Sequence, residues 1–310
     1  MVFEGLNSTD FDAFEEKKWS SHAFNRERLE VKLKLTALGK ELAKEIEPEL
    51  PGQEMGLTEE RPSIFNQHQV RDLTLYFFRD EQARRALGGI LDKSKSIADN
   101  VSDPAFHHRH INLGLRVFAG GVEAGLWLHR NAWVDWKNVV QRCQEYWERD
   151  KLSELLGGLP PSIKYSRVGG VPEDAHSANS VSPEEVLENF DQAEPWSFFG
   201  EALRRSEPVL DSVELIDRLA SVFALLVPLH SFIGWRRDND FHELKEVIKE
   251  QKEKAKVKFS ALQVGDEVRV MKGLATGRLG VLESIERKGV VKVRIGTIVI
   301  AVNVDELGKP

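Results

Sequence analysis

The sequence predicts an α+β protein, with a mixed helix and sheet body that has a β-hairpin at its centre and is joined by a charged helix to a small C-terminal β-barrel. Apolar residues recur at helical spacing between residues 10 and 50, alternate with period two between residues 111 and 128, and alternate again near the C-terminus. The expected segments are an α+β domain over 1–160, a loop over 161–182, a helical extension over 183–240, a charged helical linker over 241–256 and the barrel over 257–310.

The first predicted helix lies within residues 10–50. Asp10 is a suitable N-cap, and Pro48 ends the pattern. A second helical pattern covers residues 67–91, although residues 75–78 also fit a buried strand. The residues that give the first helix its spacing are Leu29, Leu33, Leu35, Leu38, Leu42 and Ile46.

A β-hairpin is predicted over residues 111–129, because apolar residues alternate on both sides of a turn at Ala119-Gly120-Gly121. Arg116 and Glu123 are expected to lie close together on its other side. They form either a cross-strand ion pair on a solvated or helix-covered face, which we favour, or the polar part of a ligand pocket. The possible ligand face consists of Asn112, Arg116, Glu123, Trp127 and His129.

A histidine cluster, His107-His108-Arg109-His110, precedes the hairpin, and His129 follows it. Imidazole and carboxylate groups are common ligands of zinc and iron. The spacing matches no metal-binding signature, and adjacent residues of an extended segment point to opposite faces. We therefore expect no metal site and no cofactor. If a metal does bind, its ligands are His108, His110 and His129.

Residues 131–156 predict a third helix, with tryptophans and Cys143 at three- and four-residue intervals that indicate core packing. Residues 166–182 predict a surface loop, in which Gly169-Gly170 lacks the lysine and spacing of a phosphate-binding loop.

Two helical segments follow, and Pro228 is expected to kink or end the second. Alternating Glu and Lys over residues 243–258 predict the helical linker.

Runs of period-two alternation predict the strands of the C-terminal barrel, and glycines supply the turns between them. The segment contains the runs VGDEVRVMKG, GRLGVL, VKVRI and IAVNVDEL. In this order they resemble the KOW domain, an SH3-like barrel found at the end of the transcription factor NusG and in a family of large-subunit ribosomal proteins. The resemblance covers residues 260–308, and the body before it shows no sign of the NusG N-terminal domain.

The resemblance implies docking to a ribosomal protein, to an RNA polymerase-associated partner or to RNA. Residues 257–310 carry nine Lys and Arg against six Asp and Glu, a net charge of +3, whereas the whole chain carries −7. A basic module on an acidic body suits local contact with phosphates or with an acidic surface. As an alternative, the barrel is a generic module for stability or dimerisation. The residues expected at the interface are Arg269, Lys272, Gly273, Gly277, Arg278, Gly280, Lys292 and Arg294.

The predicted function is that of a non-catalytic adaptor in the cytoplasm, which binds RNA or a component of the ribosome or of RNA polymerase. The single cysteine, Cys143, suits a reducing compartment, and we expect no membrane segment. No catalytic Ser, His and Asp set or paired carboxylates can be recognised. The alternative is an enzyme, or a body that binds a small ligand or a metal, using the face of Arg116, Glu123 and His129 with the barrel as an accessory module.

Overall fold

The computed structural model describes residues 2–91, 106–188, 196–236, 238–241, 263–271, 275–286, 290–303 and 307–308. The chain divides into two compact units. The larger unit, which we call the body, comprises Met1–Arg84 and Ala105–His242, and the C-terminal unit comprises Arg85–Pro104 and Glu243–Pro310. The predicted α+β class is confirmed, because the chain contains both helices and antiparallel sheets.

Seven strands of the body form one sheet: β1 (Gln53–Leu57), β2 (Asp72–Arg79), β3 (Asn112–Phe118), β4 (Gly121–His129), β5 (Lys164–Ser166), β6 (His176–Ser177) and β7 (Trp196–Arg204). Their order across the sheet is β1-β2-β3-β4-β7-β5-β6, and all neighbours are antiparallel. The predicted hairpin is confirmed as β3 and β4, at the centre of this sheet.

The helices within the described residues are α1 (Ser8–Asp12), α2 (Asn25–Ile46), α3 (Glu81–Leu91), α4 (Trp133–Arg142), α5 (Tyr146–Gly157), α6 (Pro183–Glu188) and α7 (Leu215–Ile233). Helices α2 and α7 pack against one face of the sheet and against each other. Alternate strand residues such as Leu75, Leu115 and Leu126 are fully buried in this contact. We call this side of the sheet the helix face and the opposite side the far face.

The first helical segment differs from its prediction in two respects. Asn7 caps the short α1, because its side chain accepts a hydrogen bond from the backbone N of Thr9 at 3.0 Å. Asp10 lies inside α1 and accepts from the backbone N of Asn7 at 2.7 Å, which completes a capping box. In α2, Leu29 and Leu33 are 44% and 45% exposed, since the buried stripe follows Val31, Leu35, Leu38, Leu42 and Ile46.

Two other predicted helices are divided in the structure. Residues 67–91 contain strand β2 and then helix α3, so that the strand alternative for residues 75–78 is the one that forms. Residues 131–156 contain α4 and α5, which are separated near Cys143. Cys143 is buried, and this burial raises the pKa of its thiol to about 11. Trp147 is 59% exposed, so core packing does not account for it.

Residues 161–240 contain strands that the sequence analysis did not predict. Strands β5 and β6 lie in the expected loop, and β7 lies in the expected helical extension, between β4 and β5 in the sheet. Both faces of β7 are buried, Phe199 on the helix face and Phe198 on the far face, so the strand lacks the alternation that identifies a half-buried strand. The predicted linker, apart from residue 241, lies outside the described residues.

Helix α7 is a core helix of the body. Pro228 lies on an exposed side of α7, and the helix continues to Ile233, so Pro228 does not end it. Within the described residues, α7 alone is long and apolar enough to cross a membrane, and half of that stretch is buried inside the body. Core helices of soluble proteins meet the same criterion, which makes this weak evidence for a membrane span.

The C-terminal unit contains a separate sheet of five strands: β8 (Glu267–Val270), β9 (Leu279–Ile285), β10 (Val290–Ile295), β11 (Ile298–Asn303) and β12 (Leu307–Gly308). They pair antiparallel in the order β11-β10-β9-β8-β12. This small sheet agrees with the predicted module, whose closure into a barrel stays a prediction. Its core consists of Val268, Val270, Leu282, Val291, Val293, Val302 and Leu307.

Candidate functional site

The far face of the body's sheet carries all five residues of the possible ligand face. Asn112, Arg116, Glu123, Trp127 and His129 alternate with core residues along β3 and β4, and the register places Arg116 directly opposite Glu123. Asn112, Glu123 and Trp127 are buried, whereas Arg116 and His129 are half-buried. The strand register therefore brings the five side chains to one side of the sheet.

A loop covers the pair formed by Arg116 and Glu123. Arg116 Nε donates to Glu123 Oε2 at 2.8 Å, and Glu123 Oε1 accepts from the backbone N of Val171 at 2.8 Å. Trp127 Nε1 donates to the carbonyl oxygen of Gly169 at 3.0 Å. A buried carboxylate requires such partners, and here they hold residues 169–171 over the far face. In this arrangement Glu123 positions a loop.

Beneath this loop, glycines and aromatic rings lie against each other, an arrangement that the sequence analysis missed. Gly114, Gly125 and Gly200 are register neighbours on β3, β4 and β7. A Cβ at Gly114 would lie 3.3 Å from the ring of Trp127, and a Cβ at Gly125 or Gly200 would lie 2.7 or 2.5 Å from the ring of Phe198. The glycines let the rings lie flat on the backbone. This part of the far face is therefore a second packed layer.

The three histidines considered as metal ligands, His108, His110 and His129, lie in two different environments. The rings of His108 and His129 stack with centroids 4.5 Å apart, and each ring contacts the ring of Trp196 in a T-shaped arrangement. His110 is buried beside Arg79, and burial followed by the charge of Arg79 lowers the pKa of His110 to about 3. Among the described residues, no group of three or more His, Cys, Asp or Glu side chains could hold a metal ion.

A buried ion pair between Arg79 and Asp135 joins β2 to α4. Arg79 Nη1 donates to Asp135 Oδ2 at 3.0 Å, and Arg79 Nη2 donates to Asp135 Oδ1 and to the carbonyl oxygen of Trp235. Asp135 also accepts from the backbone N of Ile111 at 3.0 Å and of Trp235 at 2.7 Å. Burial alone would raise the pKa of Asp135, but Arg79 and these hydrogen bonds hold it below its ordinary value. The pair therefore fixes the start of β3 and the chain after α7.

Asp72 is a further carboxylate on the far face that the sequence analysis did not select. It lies opposite Phe118, diagonal to Arg116, and accepts a hydrogen bond from Thr74 Oγ1 at 3.3 Å. Burial raises the pKa of Asp72, and the charge of Arg116 partly opposes this effect. Asp72 lines a cleft of about 340 Å³ together with Thr58, Glu59, Asn66, Gln67, Gln69, Val70 and Arg71.

In the C-terminal unit, part of the expected basic interface is neutralised internally. Lys292 Nζ lies 2.7 Å from Glu286 Oε1, and Arg294 contacts Glu283. The bond to Glu286 and its charge raise the pKa of Lys292. Lys272 and Gly273 lie outside the described residues.

The other expected interface residues have different roles. Arg269 Nη1 donates to the carbonyl oxygen of Gly277 at 3.4 Å, and Gly277 adopts a φ of +81° in the turn before β9. Arg278 is exposed, and its guanidinium has no partner among the described residues. Gly280 is buried, and a Cβ there would lie 2.5 Å from the side chain of Val293, so this glycine serves packing.

The outer face of the C-terminal sheet, opposite its core, exposes apolar side chains. Leu279, Val281 and Val299 are 50%, 42% and 44% exposed. In register, Val281 and Val299 flank Arg294, and Leu279 lies opposite Arg269. The outer face therefore combines an apolar row with arginines and glutamates, since Glu267 lies opposite Val281 and Glu283 contacts Arg294. Leu279 and Val281 are neighbours on this face, and Arg294 lies between Val281 and Val299. Monomeric proteins tolerate single exposed apolar residues, whereas several on one face are typical of a contact surface.

No protein-family model matches the chain, and no curated protein matches it either.

Proposed function

We propose that the protein is a non-catalytic adaptor that docks through the outer face of its C-terminal sheet onto a component of the ribosome or of RNA polymerase. The row of exposed apolar side chains at Leu279, Val281 and Val299 carries this proposal. The buried centre of a protein interface is more apolar than the rest of the surface, and arginine is enriched in interfaces. The resemblance of this segment to the KOW domain supplies the class of partner.

The charges of this face favour a protein partner over RNA. Lys292 and Arg294 are paired with Glu286 and Glu283, so their attraction for phosphates is offset. Contacts to phosphates release counterions, so they give an affinity that falls steeply with salt concentration. Docking through apolar side chains depends weakly on salt. The salt dependence of binding therefore distinguishes a protein contact from an RNA contact.

The test is co-sedimentation of the full chain with purified ribosomes, and capture by purified RNA polymerase, at several salt concentrations. Leu279→Glu places a charge in the apolar row and is expected to weaken docking by at least about tenfold, or about 1.4 kcal/mol. Val213→Glu is the matched control, because Val213 is 56% exposed but lies in the body. Arg278→Glu tests the phosphate contribution.

Binding of the wild type that Leu279→Glu weakens and Val213→Glu leaves unchanged supports the proposal. A full chain that binds neither ribosomes nor polymerase contradicts it, as does an equal effect of the two substitutions. Binding that falls steeply with salt and is abolished by Arg278→Glu identifies RNA as the partner instead.

A second candidate, a small polar ligand bound by the body, is favoured by the cleft that Asp72 lines. The lining combines hydroxyl, amide, carboxylate and guanidinium groups, which suits a ligand rich in hydrogen-bonding groups. Native mass spectrometry of freshly purified protein tests for a bound small molecule. Asp72→Asn is expected to release it, and Asp211→Asn, at an exposed position, is expected to retain it. A wild type without bound mass that also gives no thermal shift with polyols, amino acids or nucleotides contradicts this candidate.

A further inference from the structure

Strand β11 forms one edge of the C-terminal sheet, because β10 pairs with one of its sides and no described strand pairs with the other. Its residues, Ile298–Asn303, spell IVIAVN and include no charge, proline or glycine. Ile298 is 64% exposed and Val299 is 44% exposed. In the part of the unit that the structure describes, an apolar strand edge is therefore open.

Edge strands usually carry features that prevent pairing with another chain, such as lysine, proline, a bulge or a very short strand. Strand β12, at the opposite edge of this sheet, has two residues in the described part of the chain. A register shift occurs between β9 and β10 at Lys292/Val293, away from the β11 edge. Strand β11 has six residues, and none of them is charged or proline. It therefore lacks the usual features that prevent an edge from pairing with a strand of another chain.

The hairpin between β10 and β11 determines which backbone groups face the open edge. Ile295 and Ile298 pair across the two-residue turn Gly296-Thr297, in which Gly296 has a φ of +62°. The residues that flank such a turn form a hydrogen-bonded pair, and these pairs recur at every second position. The backbone groups that bond to β10 therefore belong to Ile298, Ile300 and Val302, whereas those that face the open edge belong to Val299, Ala301 and Asn303.

The chemistry of this edge suits a second copy of the same chain. Antiparallel self-pairing of a charged strand places like charges near each other, whereas an uncharged strand is complementary to itself. The nearest basic residues, Lys292 and Arg294 on β10, are paired with acidic residues of their own unit. They therefore offer little attraction to an acidic peptide or to a nucleic acid.

If a twofold axis passes between Ala301 and Ala301 of a second copy, the outward backbone groups of β11 form hydrogen bonds with those of the second copy. It places Ala301 opposite Ala301 of the second copy and Val299 opposite Asn303 of the second copy, which gives about six hydrogen bonds between the chains. It also brings Ile300 against Val302 of the second copy at the closer, non-hydrogen-bonded spacing, where β-branched pairs stabilise a sheet.

From this geometry we infer that the protein forms a twofold symmetric dimer, in which β11 pairs antiparallel with β11 of a second copy and the two C-terminal sheets become continuous. The inference is independent of the proposed function, because pairing uses backbone groups at the edge of β11 whereas docking uses side chains of the outer face. Val299 belongs to both, with its backbone at the edge and its side chain on the outer face.

The test is sedimentation equilibrium of the full chain and three variants. Ala301→Pro removes one outward N–H from each copy and leaves the bonds to β10 in place. The loss of two hydrogen bonds is expected to raise the dimer dissociation constant about 30-fold. Val299→Lys adds a charge at the same edge and is expected to weaken the dimer as well. Val281→Lys is the matched control, since Val281 is similarly exposed at 42% but lies on β9, inside the sheet.

Hydrogen exchange at low and high protein concentration distinguishes loss of pairing from loss of folding. The amides of Val299 and Ala301 are expected to gain protection as the concentration rises, whereas the amide of Ile300, which bonds to β10, is protected at both concentrations. A full chain that is monomeric at its highest soluble concentration overturns the inference. A dimer that Val281→Lys and Val299→Lys weaken equally, or that leaves Val299 and Ala301 unprotected, overturns it as well.

Discussion

The substitution Asp135→Asn tests whether the buried ion pair organises the body. Asn has nearly the volume of Asp but carries no charge, so the buried cation Arg79 loses its counter-ion and keeps only neutral acceptors such as the carbonyl oxygen of Trp235. Removing one member of a buried pair costs about 3–5 kcal/mol. The Asn amide also cannot accept from both backbone N–H groups that Asp135 now satisfies, those of Ile111 and Trp235. One unsatisfied buried donor adds about 1–3 kcal/mol, so we expect a total loss of about 4–8 kcal/mol.

Urea unfolding followed by tryptophan fluorescence measures this loss. All seven tryptophans precede residue 257, so the signal reports on the body and not on the C-terminal sheet. Asp174→Asn, at an exposed position, is the control and is expected to change the unfolding free energy by less than about 0.5 kcal/mol. A loss below about 1 kcal/mol for Asp135→Asn would refute the reasoning, because it would mean that the buried charge of Arg79 finds another partner.

Three further predictions concern the body. Burial lowers the pKa of His110 and His230 to about 3, so below about pH 6.5 the unfolded chain takes up protons that the folded body does not. Unfolding free energy is therefore expected to fall with decreasing pH, by up to about 2.7 kcal/mol per pH unit, and His230→Leu should halve this slope in urea titrations at several pH values. Gly125→Ala places a Cβ 2.3 Å from a backbone oxygen and should destabilise by at least about 1–3 kcal/mol in the same assay, whereas Gly157→Ala, with open space around it, should not. Cys143, buried with a pKa of about 11, should react with a thiol reagent only after unfolding.

The sequence predicts an element well where one face of it is buried and the other is not. The sequence predicts the hairpin over 111–129 because its helix face is apolar and its far face carries polar residues at alternate positions. The sequence does not reveal strand β7, because both of its faces are buried, which removes the alternation. The leucine spacing predicts the wrong buried stripe at the start of α2, since Leu29 and Leu33 lie on the exposed side of the helix.

The candidate site shows the same division between local and distant contacts. The proximity of Arg116 and Glu123 follows from hairpin register alone. The role of Glu123 is to accept a hydrogen bond from the backbone N of Val171, and Val171 lies 48 positions further along the chain. The ion pair of Arg79 with Asp135 joins residues 56 positions apart, and no local pattern identifies it. The glycines at 114, 125 and 200 gave a signal that could have been used, because isolated glycines within strands indicate close contact with the backbone.

The two proposals for the C-terminal sheet involve different chemical groups, so they can be tested separately. Docking uses side chains of the outer face, so Leu279→Glu should weaken docking and leave the dimer intact. Self-association uses the backbone edge of β11, so Ala301→Pro should dissociate the dimer. If Ala301→Pro also abolishes docking, the partner recognises two outer faces at once, since a dimer that presents two sites gains affinity through effective concentration. If docking survives in the Ala301→Pro monomer, one outer face is sufficient, and the dimer serves another purpose. Measuring docking for this monomeric variant therefore decides whether the adaptor acts as one chain or as two.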